Sequence, residues 1–74
     1  MHYDYSKLKG RIREMFGTNR ALAAAINRSE RTVSLKLNNL LPWSQKEIDD
    51  TCIALCIPYA EIDTYFFAKK VQRG

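Results

Sequence analysis

Few residues of this chain have the types and spacing that catalysis requires. His2 is the single histidine, Cys52 and Cys56 are four apart, and Glu47, Asp49 and Asp50 form one acidic cluster. His2 and the two cysteines nominally make three metal ligands, but no zinc-type spacing joins them. On a helix the cysteine β-carbons lie about 5–6 Å apart, beyond the roughly 3.5–4.5 Å that a disulfide spans. They read as reduced thiols packed like small hydrophobes. The acidic cluster reads as the solvated first turn of a helix, where negative charge suits the dipole. One histidine at a terminus supports no triad. The chain is expected not to be an enzyme and to use no cofactor, no metal and no small-molecule substrate.

What remains is chemistry of recognition, and it is concentrated between Thr18 and Asn38. Glu30, Arg31, Ser34, Leu35 and Asn38 share one side of a helical wheel, with Thr32 and Lys36 at its flanks and Val33 and Leu37 opposite. Presenting that side outward requires particular neighbours. Thr18 caps a short alanine-rich helix, Asn19 to Ile26, whose small Ala23 lets a following helix cross closely. Asn27 tolerates positive φ, and Ser29 caps the next helix, Glu30 to about Asn38. A tight turn between two such helices is the arrangement of a helix-turn-helix.

The flanking elements are also helical. Tyr5, Leu8, Ile12, Met15 and Phe16 form the apolar stripe of a first helix over Asp4–Phe16, capped by Asp4 or Ser6 and closed by a left-handed Gly17. Asn39-Leu40-Leu41-Pro42-Trp43 breaks the pattern. Ser44 and Glu47 then make a capping box before a fourth helix with Ile48, Cys52, Leu55 and Cys56 on its apolar face, ending at Ile57-Pro58. Pro58 opens a short fifth helix with Ile62, Tyr65 and Phe66. Tyr59, Tyr65, Phe66 and Phe67 are more aromatics than so short a helix buries alone. They close the core or cover a second copy. Residues 68–74 read as a frayed tail. The expectation is an all-α fold, one compact five-helix domain over residues 1–74, with the helix-turn-helix at helices two and three, about 18–38.

Seventy-four residues leave room for one small core, in which a deep substrate cavity is disfavoured. Residues 1–36 carry eight basic and three acidic side chains, whereas residues 37–67 carry one and five. A basic first half on a small domain is the footprint of nucleic-acid binding. No apolar run approaches the roughly 18 residues of a membrane span, and the N-terminus lacks the apolar stretch of a signal peptide. The expected location is the cytoplasm, with no membrane partner.

The two segments Thr18–Ile26 and Ser29–Asn38 resemble the Cro and lambda-repressor-like helix-turn-helix. From Tyr3-Asp4-Tyr5-Ser6-Lys7-Leu8-Lys9-Gly10-Arg11-Ile12 through Trp43-Ser44-Gln45 to Tyr65-Phe66-Phe67, the chain is similar to small Cro-like regulators of temperate phages of Gram-positive bacteria, most of all to the modulator-of-repression antirepressors. The resemblance implies a regulator of a phage lysogeny switch, in the cytoplasm of a bacterial host. It places a phosphate-gripping residue at Asn19, base-reading positions at Glu30, Arg31, Ser34 and Leu35, and a phosphate anchor at Asn38, with Arg20 beside Asn19. Two positions depart from the family pattern. Asn27 replaces the usual turn glycine, and Glu30 replaces glutamine or arginine. A carboxylate is repelled by phosphates unless it accepts from a cytosine amino group. Two partners follow, singly or together: operator DNA, bound in the Cro manner, and the cognate phage repressor, bound through its own basic DNA-binding domain.

Overall fold

In the computed structural model residues 2–70 are described. Five α-helices follow one another: α1 (Ser6–Met15), α2 (Asn19–Ala25), α3 (Glu30–Leu37), α4 (Gln45–Leu55) and α5 (Ile62–Phe66). A single 3-10 turn, Tyr59–Glu61, precedes α5. The fold is all-α, and the described residues contain no strand beyond an isolated bridge between Tyr3 and Lys69.

Local chemistry sets where these helices start. Thr18, Ser29 and Ser44 stand just ahead of α2, α3 and α4, and their hydroxyls accept from the N–H groups of Ala21, Thr32 and Glu47, each at 3.1 Å. Each cap satisfies one of the donors that a helix start leaves unpaired. For α1 the cap position is Tyr5. Asp4 still supplies the acceptor, taking the Ser6 N–H at 2.9 Å and the Ser6 hydroxyl.

Left-handed residues set where three of the helices stop. Asn27, Asn39 and Cys56 have φ of 59°, 63° and 55°. Each turns the chain so that the next residue's N–H reaches a carbonyl five back: Arg28 to Ala23 (2.8 Å), Leu40 to Leu35 (2.8 Å) and Ile57 to Cys52 (2.9 Å). This paired closure is the Schellman arrangement. Gly17, at φ 85°, ends α1 as its position predicted.

One cluster of buried side chains joins all five helices. It includes Leu8 and Ile12 of α1, Leu22 and Ala23 of α2, Val33 and Leu37 of α3, Ile48, Cys52 and Leu55 of α4, and Phe66 of α5. Trp43 caps the cluster edge-on to Phe66, with ring centroids 5.2 Å apart. Several expectations shift by a turn or a face. Met15 is 43% exposed, so the stripe of α1 narrows to Leu8 and Ile12, with Tyr5 buried ahead of it and Phe16 packed against the cluster just after the helix. Cys56 is exposed and lies outside the buried face of α4, while Cys52 stays buried. Pro58 precedes the 3-10 turn and not α5 itself.

The expected frayed tail does not hold for residues 68–70. The Asp4 N–H donates to the Ala68 carbonyl at 2.6 Å, and the Lys70 N–H to His2 at 3.4 Å. Residues 71–74 of that expectation lie outside the described residues. Asn39 fastens the same region from the other side. Its Oδ1 accepts from the Tyr3 N–H at 2.9 Å, and its Nδ2 donates to the Tyr3 carbonyl at 3.0 Å.

Candidate recognition surface on α2 and α3

The pose of α3 is set from below. Val33 is fully buried and Leu37 nearly so, in one cluster with Leu22 and Ala23 of α2 and with Ile26 just after it. The outer side then presents Glu30 and Arg31 exposed, with Ser34 and Leu35 half-buried. These four and Asn19 line one shallow depression between the start of α2 and the outer side of α3. Five of the seven candidate residues therefore converge.

The other two stand apart. Arg20 is exposed on α2 and does not line the depression. Asn38 is exposed and folds its amide back on its own helix, Nδ2 donating to the Ser34 carbonyl at 2.8 Å. One of its two amide protons thus closes the end of α3, leaving the other for a ligand. Exposed Leu40 follows, 67% accessible, its N–H bonded to the Leu35 carbonyl. The chain between α3 and α4 carries no charge, and its Leu41 is also exposed.

Glu47 corrects the reading of the acidic cluster. Asp49 and Asp50 are half-exposed, but Glu47 is 5% exposed and holds two cations. Arg28 Nε lies 2.9 Å from its Oε2 and Lys36 Nζ 2.9 Å from its Oε1. The Ser44 N–H donates to the same Oε1 at 2.8 Å, completing the capping box. Burial alone disfavours the charged carboxylate. The Ser44 N–H and the Lys36 and Arg28 side chains outweigh burial and hold its pKa at about 2. Lys36, expected at the flank of the outer surface, is buried instead, and its ammonium also donates to the Pro42 carbonyl at 2.7 Å. This network ties the α2–α3 turn, α3 and the start of α4 to one point. The S-x-x-E pattern located Glu47 but said nothing of its distant partners.

A second concavity, about 360 Å³, lies between Tyr3, Tyr5, Asn39, Leu41, Trp43 and Phe67. The buried Trp43 Nε1 has no hydrogen-bond partner. Elsewhere, burial raises the pKa of the Cys52 thiol. Among the described residues no group of three His, Cys, Asp or Glu side chains comes together. No described helix is long and apolar enough to cross a membrane.

A family profile described as a protein of unknown function, DUF739, matches residues 1–69. The chain belongs to this family. A solved structure with the same fold is the solution structure of the modulator of repression of the temperate bacteriophage TP901-1 from Lactococcus lactis. It is 46% identical, covers 97% of each chain and superposes with a TM-score of 0.80. No curated protein sequence matches the chain. A family description without a function leaves the argument to the chemistry of the α2–α3 surface.

Proposed function

We propose that this chain is a phage modulator of repression that acts by binding its cognate repressor through the outer side of α3. The likeness to the TP901-1 modulator over nearly the whole chain supports the regulatory role. The composition of the depression carries the choice of partner. Glu30 and Arg31 stand side by side on α3, so their charges cancel, and half-buried Leu35 lies in the same depression. Apolar anchors with an arginine suit the core of a protein interface. A basic DNA-binding domain would find in Glu30 a carboxylate to pair with. The helix-turn-helix reading of α2 and α3 then supplies the scaffold, and occupying the repressor's DNA-reading surface would relieve repression.

The second reading is direct operator binding by the same helices, favoured by the convergence of Asn19 and Arg31 in one depression. There Arg31 would pair with a guanine and Leu35 would meet a thymine methyl, while Asn19, Arg20 and Asn38 hold phosphates. A three-component experiment separates the readings: purified protein, the repressor encoded beside it and operator DNA, followed by gel shift and calorimetry. Repressor bound by the protein and released from DNA supports the proposal. No complex with the repressor at tens of micromolar, together with operator binding tighter than to random DNA, replaces it with the second reading.

A further inference from the structure

Four cations belong to the α2–α3 segment: Arg20, Arg28, Arg31 and Lys36. Arg28 and Lys36 end on the two oxygens of one carboxylate, Glu47, at 2.9 Å each. The Glu47 side chain is 7% exposed, that of Lys36 10% and that of Arg28 33%. Each cation also has a second internal acceptor. Lys36 Nζ donates to the Pro42 carbonyl at 2.7 Å, and an Arg28 Nη donates to the Asn27 carbonyl at 3.0 Å. Among the described residues, Arg20 and Arg31 form no ion pair.

Affinity for a polyanion grows with the number of phosphates that cations neutralise, each releasing counterions. A cation already committed to a buried carboxylate and a carbonyl displaces none. We propose that Glu47 is a specificity-determining residue, which withdraws Arg28 and Lys36 from the α2–α3 surface and so biases a basic segment toward a protein partner and away from nucleic acid. This rests on reading that surface as protein-binding. Glu47 lies outside the depression and touches no partner. It acts by deciding which charges its neighbours can offer.

The test measures binding of a short random-sequence DNA duplex by fluorescence anisotropy between about 50 and 200 mM salt. Wild type is compared with Glu47→Gln, Arg28→Gln and Arg31→Gln, each checked for helical content by circular dichroism. Freeing Arg28 for phosphate, while buried Lys36 stays on the Pro42 carbonyl, makes Glu47→Gln bind about tenfold tighter at the low-salt end, with a salt slope steeper by about 1. Arg28→Gln keeps the wild-type slope, whereas Arg31→Gln loses about 1. A folded Glu47→Gln protein that binds no tighter than wild type overturns the inference. So does an Arg28→Gln variant whose slope falls as far as that of Arg31→Gln. If Glu47→Gln unfolds, the arginine pair decides alone. A wild-type protein that ignores the repressor refutes the proposed function, while the duplex comparison still decides the role of Glu47.

Discussion

Replacing Glu47 by glutamine should destabilise the protein by about 3 kcal/mol at neutral pH, and the size of the loss should depend on pH in a defined direction. The carboxyl is held at about 2 in the folded chain against an ordinary 4.5. A depressed folded pKa stabilises the native state fully above the unfolded value, and the contribution drains away as pH falls through the folded one. Breaking a buried ion pair from one side typically costs about 3–5 kcal/mol. Glutamine can still accept from the Ser44 N–H, which favours the lower end. For a domain of this size the total stability is on the order of 4–11 kcal/mol, so the variant should melt about 10–25 °C lower. The assay is urea unfolding of both proteins from pH 7 down to about pH 2. Their stabilities should differ most above pH 4.5 and converge in acid. Equal stability at pH 7, or a gap that ignores pH, would refute the account of Glu47 as a buried carboxylate stabilised by its partners.

Other substitutions probe the outer side of α3 and the helix ends. Arg31→Ala and Leu35→Ala should leave stability within about 0.5–1 kcal/mol and weaken partner binding at least tenfold, while Leu37→Ala should lose about 2–5 kcal/mol through the cavity it leaves. Thermal melts beside binding titrations show whether function and stability separate in this way. Cys56→Gly should raise stability by about 1 kcal/mol, because glycine adopts φ 55° without the cost a side chain incurs. A lower melting temperature would count against strain at that position. The Thr51 hydroxyl is buried without a partner, so Thr51→Val should be neutral or stabilising by up to about 1 kcal/mol in chemical unfolding. A clear loss would mean the hydroxyl has a bound partner.

The features readable from the chain are those decided within one turn of a helix. Thr18, Ser29 and Ser44 reveal their caps because a short hydroxyl ahead of an apolar periodicity has few other uses, and Asn27 reveals its turn because asparagine tolerates positive φ. Asn39 carries the same signal, but the following Leu-Leu-Pro already marks a break and masks it. Cys56 offered none. Its left-handed turn follows from Pro58, which disfavours helix at Ile57 and makes the chain leave α4 earlier than its apolar stripe suggests. Glu47 is legible as a cap but not as buried, because the burial of Lys36 and the approach of Arg28 depend on how α3 lies against α4. The common side of Glu30, Arg31, Ser34 and Leu35 follows from helical spacing, whereas Asn19, on the other helix, joins them only through the way α2 lies against α3.

The clasp of Asn39 on Tyr3 bears on the order in which the molecule assembles. Its two hydrogen bonds span 36 residues, and the pairing of residues 2–4 with 68–70 spans nearly the whole described chain. Loop-closure entropy grows with the length enclosed, so these contacts form only after something else has shortened the distance. The neighbouring helices α2 and α3 face no such delay. During refolding the α2–α3 surface should therefore be in place before the seam closes, and amide hydrogens at Tyr3, Asp4 and Lys70 should exchange ahead of those in α3. Opening of that seam then becomes a local event that the α2–α3 surface survives.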